Sequence, residues 1–237
     1  MPRVRKDAAV RRNEILDAAQ RLIYIKGYES MTIQDILDEA KISKGGFFHH
    51  FESKETLLDA LLQRMRDEAR PMMRAIIEDA DLSALEKLQR IYTAGLQFRT
   101  KHISEIYPLM RVWYSDQNVL TRSKRYASEA KVMAPLLAVV IRQGIEEGVF
   151  NTPYPDEVAD AFYNLSKNRD HKIGELLLAP LPEAEKLTKI LTLQEAYTDI
   201  VERILGTPAG SLQWGNPEML NHWLLDLLTN IPLEGDK

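Results

Sequence analysis

The residues best suited to chemistry lie together in Ser43-Lys44-Gly45-Gly46-Phe47-Phe48-His49-His50-Phe51-Glu52-Ser53-Lys54. Lysine offers a fixed cation, histidine a donor or acceptor near neutral pH, and glycine a bare backbone. Metal binding fits poorly. Neighbouring histidines on a helix point about 100° apart, which is bad chelation geometry, so no metal is assigned. Covalent chemistry fits no better. The chain has no cysteine, and no Gly-x-Ser-x-Gly, His-Glu-x-x-His or phosphate-loop pattern occurs in it. No catalytic residue, cofactor or enzymatic activity is therefore expected. Recognition remains: a short helix anchored by phenylalanines on one face, with small, cationic and donor groups on the other, suits a nucleic-acid groove. Taken alone, Lys44 and Lys54 would read as solvated lysines, so the elements that hold them decide the matter.

Those elements are helical. Ile15, Ala19, Leu22 and Ile23 share one face of a helix over about 9–26, and Gly27 suits its C-terminal end. Thr32 is a good N-cap for Ile33, Ile36, Leu37 and Ala40, with Asp35 in the first turn. Lys41-Ile42-Ser43 makes a short turn, and Ser43 caps the glycine-weakened helix that follows. Ser53 opens an exit helix through Leu57, Leu58, Leu61, Leu62 and Met65. Two helices joined by a three- to four-residue turn are the helix-turn-helix arrangement. Phe47 and Phe51 are expected to anchor the short helix to Ile33, Ile36 and Leu57. Downstream, the pattern predicts helices near 84–101, with a Ser83/Glu86 capping box, and near 103–115, 119–147, 156–178, 183–205 and 217–229. Segment 206–216 is expected to be a loop.

Composition agrees with a soluble globular protein. Of 237 residues 45% are hydrophobic and 28% charged. No apolar run is long enough for a membrane span, and no apolar segment follows the charged N-terminus, so a cytoplasmic protein with no membrane partner is expected. Net charge is −4, but it is uneven. Residues 1–66 hold 12 Lys+Arg and 10 Asp+Glu, and Arg3, Arg5, Lys6, Arg11 and Arg12 crowd the first twelve positions. A mildly basic head on an acidic body is compatible with DNA binding through the head.

At Gly27-Tyr28, Met31-Thr32-Ile33-Gln34-Asp35-Ile36 and Ile42 to Leu58 the chain resembles the TetR family of bacterial transcriptional repressors, most strongly over about residues 12–62. Gly144-Ile145-Glu146-Glu147-Gly148-Val149-Phe150 is a weaker echo of the segment before that family's dimerisation helices. The resemblance implies an all-α chain. Residues 1–55 would be a three-helix helix-turn-helix DNA-binding domain. Residues 56–237 would be a helical regulatory, ligand-binding and dimerisation domain with an extra C-terminal helix. It places Thr32, Gln34, Ser43, Lys44, Gly45, Gly46, Phe48, His49, His50 and Lys54 at DNA. Two departures stand out. The family's usual Thr is Gly46 here, and its usual phosphate-contacting Tyr is Phe48, which lacks the hydroxyl donor.

The same resemblance implies a small-molecule pocket among Tyr92, Phe98, Tyr107, Met110, Trp113, Tyr114, Tyr126 and Met133, with Arg99, His102, Arg111 and Asp116 as polar candidates. Read from the residues alone, each of these side chains fits ordinary core better than a pocket. Helices near 156–178 and 183–205 would form a dimer interface. Ser166-Lys167-Asn168-Arg169-Asp170-His171-Lys172 is too polar for such a seam. A local interruption or a shifted seam is expected there, with the 217–229 helix covering the gap. The implied partners are a double-stranded DNA operator, a second copy of the chain and an unidentified small-molecule effector. The alternative is a ligand-independent DNA-binding protein regulated by a protein partner. A third class is an all-helical enzyme or binding module that keeps a helix-turn-helix remnant; loss of operator binding on replacing Lys44 and Lys54 by alanine, without unfolding, would separate the first two from it.

Overall fold

The computed structural model describes residues 7–114, 118–214 and 220. The basic residues Arg3, Arg5 and Lys6, Asp116, the side chain of Arg111 and nearly all of the expected 217–229 helix lie outside the described residues. Among those described there are nine α-helices and no strand. They are α1 Ala8–Lys26, α2 Ile33–Ala40, α3 Lys44–Phe48, α4 Lys54–Glu78, α5 Ala84–Lys101, α6 Ile103–Trp113, α7 Val119–Glu146, α8 Pro155–Leu178 and α9 Glu183–Leu205. No described helix is long and apolar enough to cross a membrane.

Most boundaries are set by local chemistry. Gly27 stops α1 with φ +77°, and its N–H bonds to the Ile23 carbonyl. Capping boxes open α2, through Thr32 and Asp35, and α5, through Ser83 and Glu86. Ser53 Oγ accepts the Thr56 N–H at the head of α4. Pro155 starts α8 at a position where the missing N–H costs nothing. Gly206, at φ +65°, ends α9, with no room for a Cβ against the Asn151 carbonyl.

The chain divides into two compact units. One gathers the residues up to Arg70 together with Ser104–Val112; the other holds Pro71–Ile103 and the residues from Trp113 onward. The covalent crossings between them therefore fall within α4, at Pro71, and at the two ends of α6. The first unit is built on Ile15, Leu16, Ile36, Phe47 and Leu57, all essentially inaccessible, with Leu109 and Val112 of α6 in the same core. In the second unit α7 packs on α5 and α8, and α8 on α9. Leu88, Val140, Ile141, Ala159 and Leu205 form the centre of its core.

Two sequence expectations change in the second unit. The polar stretch 166–172 lies within α8, in keeping with the helix expected near 156–178, but not on a purely solvated face. Its middle turns inward: Arg169 is buried and Asp170 mostly so. Segment 206–216 has no regular structure over residues 207–214, as expected, yet it is part of the core. Trp214 stacks on Tyr92 at 5.6 Å and on Phe162 at 5.4 Å between ring centroids. Glu202 holds this segment down by accepting the N–H groups of Gly210 and Leu212.

Candidate nucleic-acid interface

The α2–α3 turn rests on one uncommon backbone choice. Lys41 adopts the left-handed conformation, φ 53°, and so ends α2. Such a conformation is costly for a residue with a Cβ. The turn is fixed by the Ile42 N–H donating to the Leu37 carbonyl. Ser43 Oγ then accepts the Gly46 N–H at 3.2 Å and starts α3. Phe47, fully buried, pins this five-residue helix to the core and meets Phe51 at 5.9 Å. With one face so anchored, the other is left outside. Lys44, Gly45, Phe48 and His49 are exposed, and Gly46 and His50 partly so. Phe48 is 43% exposed, with its edge against Phe47.

Arg12, from α1, joins this surface. Its guanidinium sits 5.1 Å above the Phe51 ring. Partial burial, His49, Arg12 and Arg11, in that order, push the His50 pKa below the ordinary histidine value. The sequence showed Arg11 and Arg12 as part of a basic head; their convergence on His50 was not visible in it. Arg11 is paired with Glu14 at 2.7 Å.

Three other expected contact residues already have partners. Gln34 is exposed, with its amide donating to Asp38 at 2.9 Å. Thr32 is occupied by its cap: its N–H and its hydroxyl both donate to Asp35 Oδ2, at 2.7 and 2.6 Å. Lys26 Nζ lies 2.6 Å from the same oxygen. The Lys26 bond, then the Thr32 bonds, hold the Asp35 carboxyl well below the usual range. Lys54 is the largest surprise. Its Nζ donates to the carbonyls of Tyr28, Met31 and Glu29 at 3.0, 3.1 and 3.4 Å, and lies 4.3 Å from the Tyr28 ring centre. An ammonium has three donors, so this lysine staples the loop before α2 to the head of α4.

The eight expected pocket residues divide. Tyr107 and Met110 lie on the part of α6 that groups with the first unit, and the other six belong to the second. Tyr92 is buried under Trp214, Phe98 lies 4.5 Å from the His102 ring, and Met133 packs on the second core. Trp113 donates to Tyr126 at 3.4 Å, and Tyr114 donates to the Asp170 carbonyl at 3.1 Å. That closeness needs Gly174, where a Cβ would lie 2.1 Å from the Tyr114 ring. Arg99 contributes as a partner of Asp170 at 3.4 Å. Arg169, Asp170 and Lys167 were missed because their polarity argued against an interior position.

Residues 15–61 match the family model for bacterial regulatory proteins of the tetR family, and residues 111–172 match the tetracyclin repressor-like C-terminal domain. The HTH-type transcriptional repressor KstR2 of Mycobacterium tuberculosis is 29% identical over 171 residues, which cover 71% of this chain and 82% of that protein. KstR2 of Rhodococcus jostii is 28% identical over 155 residues, covering 64% and 74%. A TetR-family transcriptional regulator from Pectobacterium atrosepticum has a TM-score of 0.65, covers 87% of this chain and 100% of its own, and is 18% identical, so it speaks for the fold alone. An N-terminal helix-turn-helix followed by a helical C-terminal domain defines a DNA-binding transcriptional regulator. The chain belongs to the TetR family.

Proposed function

We propose that the protein is a homodimeric repressor. It reads a palindromic operator with α3 and is released from it by a small-molecule effector in the second unit. The observation that carries this reading is the outer surface of α3. Two glycines bring the backbone close to a groove, Lys44 and His49 stand exposed, and Arg12 and His50 flank them. A second, recognition helix of this kind lies in the major groove while the first crosses the backbone. Lys44 would contact a guanine edge or a phosphate, and His50 a phosphate. Gly45, Gly46, Phe48 and His49 would line the groove face with them. The Ser43, Thr32 and Gln34 side chains, engaged locally, act mainly by fixing the geometry of α2 and α3, and Lys54 does so by holding the Tyr28–Met31 carbonyls.

Two copies would set their α3 helices about 34–36 Å apart, one turn of DNA. By family resemblance α8 and α9 form the dimer bundle, and Ile200 on α9 is an apolar residue left exposed in the single chain. The effector would act on α6 and α4, whose backbones pass from one unit to the other. Ligand in the second unit would favour an α6 and α4 setting in which the α3 spacing no longer fits the operator. Trp113 and Tyr114, at the end of α6, and Tyr126 are where aromatic contact with a ligand would be felt. A DNA-binding protein of this kind works in the cytoplasm.

Selection of bound DNA from a random pool, repeated with candidate effectors, tests the reading. A recovered inverted repeat with half-sites one turn apart, depleted by an effector, is expected. A single unrepeated site would remove the dimer, and ligand binding without loss of operator affinity would remove the release mechanism. Release only by a protein partner would favour the ligand-independent alternative.

A further inference from the structure

One side chain on the outer surface of α3 is ill suited to a charged backbone. Lys44 is polar and exposed, Gly45 and Gly46 carry no side chain, and Phe47 is fully buried. Among the described residues of α3, Phe48 is the one apolar side chain in solvent, 43% exposed. It follows Lys44 by four positions and Gly45 by three, so all three stand on the same side of the helix. A Cβ at Gly45 would meet nothing within 4 Å, so the approach to the ring is open there.

The ring is propped rather than loose. Phe47 lies 5.3 Å away between centroids, with the two ring planes at 88°. Phe47 is itself locked in the core, where it meets Phe51. A ring held this way has little side-chain freedom left to lose on contact, which favours binding. Phe48 is thus a fixed apolar surface on the face that carries Lys44.

Its chemistry narrows what it can meet in a groove. A phenyl ring in water gains by covering apolar surface, and it has no hydroxyl to offer a phosphate. The bases of a duplex are stacked and show only their edges. The apolar group that those edges present in the major groove is the 5-methyl of thymine.

We propose that Phe48 reads thymine: its ring packs on the 5-methyl group of one thymine in each half of the operator. The ring face covers the methyl, and the para carbon stays available for the phosphate contact that an added hydroxyl would make. The contact deepens the operator-reading role given to α3 and rests on α3 lying in the major groove.

The operator recovered from the random pool supplies the probe. It is made again with deoxyuridine in place of each thymine in turn, which removes the methyl group and keeps every hydrogen bond. Fluorescence anisotropy with the full-length protein reads each duplex. One thymine per half-site is expected to show a loss of about fourfold on replacement, the worth of one buried methyl group. Phe48→Ala is expected to bind the thymine and uracil duplexes at that position within about 1.5-fold of each other. A second measurement needs no variant and so does not depend on Phe48→Ala folding. 5-Iododeoxyuridine at the sensitive position, irradiated in the complex, is expected to cross-link to Phe48, as located by peptide fragmentation. Equal binding of thymine and uracil duplexes at every position, an undiminished uracil penalty in folded Phe48→Ala, or a cross-link at another residue would each overturn the proposal. A protein that recovers no DNA from the pool overturns the α3 reading itself. One that recovers an operator indifferent to every methyl group overturns the thymine contact alone.

Discussion

Lys44, His49 and Arg12 stand in solvent around α3, whereas Arg169 lies buried beneath Tyr92 with a carboxylate at 2.9 Å. Both regions collect cations on a helical frame, but they hold them under different electrostatic conditions. At the surface a charge keeps its hydration and needs no partner, so it can wait for a phosphate at little cost to stability. Inside, the same charge loses water and must be matched within a few ångströms. The first region separates folding from binding: Phe47 and Phe51 anchor, and the outer groups are free to vary. The second has no such division, because Arg99 of α5 and Arg169 of α8 both pair with Asp170 and tie the two helices together.

The contrast yields predictions of decreasing size. Asp170→Ala removes the one anion from among Arg99, Arg169 and Lys167. It should lower unfolding free energy by about 3 kcal/mol in urea titrations, whereas Lys44→Ala should stay within about 0.5 kcal/mol. Lys44→Ala should instead weaken operator binding and reduce the salt-dependence slope by about 1. Equal stability losses in the two variants would erase the distinction.

Lys54→Ala crosses the line between the regions. It sits at the expected DNA surface but is bonded like an interior residue, and should lose about 2 kcal/mol of stability. A fully stable Lys54→Ala that no longer binds DNA would return this lysine to a phosphate role.

For His50, the sign of the pH effect follows from its depressed pKa in the free protein. A phosphate beside it favours the cation, so the bound pKa lies higher and binding takes up a proton. Operator affinity should therefore rise as pH falls through the window between those two values. The gain is complete below the free-state pKa and lost as pH rises through the bound-state one, with a slope of at most about tenfold per pH unit. Fluorescence anisotropy between pH 5.5 and 8 reads this, and His50→Gln should remove the part due to this residue. A flat profile in the unmodified protein would place His50 away from phosphate.

Smaller effects probe α3 itself. Phe48→Tyr adds a donor on an exposed ring and should tighten operator binding by about 1 kcal/mol. Unchanged or weaker binding would show that the ring does not meet a phosphate. Gly46→Ala places its Cβ no closer than 3.4 Å to Ser43 Oγ. It should stabilise the protein by up to about 1 kcal/mol, and weaker DNA binding at that gain would mark a close backbone approach.

Much of the helical frame was legible because its signals are local. Thr32 with Asp35, Ser83 with Glu86, Ser43, Gly27 and Pro155 act within one turn of their own position, and the helix boundaries follow them closely. The apolar spacing around Phe47 and Phe51 likewise gave the anchored face of α3. What escaped was non-local. Lys54 finds its carbonyls at Tyr28, Glu29 and Met31, Arg12 finds Phe51 and His50, and Trp214 finds Tyr92 and Phe162. None of these pairings leaves a trace in spacing. The stretch 166–172 misled for a related reason: polarity counted against burial, while the compensating Arg99 lay some seventy positions earlier.

By itself, then, the chain's sequence determined an all-helical frame with a helix-turn-helix near its start, because helix periodicity, capping and turn chemistry are written over three to seven residues. The tertiary structure alone decided which cations stand free and which are matched. A charge's cost depends on the water and counter-charges within a few ångströms, and those come from helices far apart in the chain.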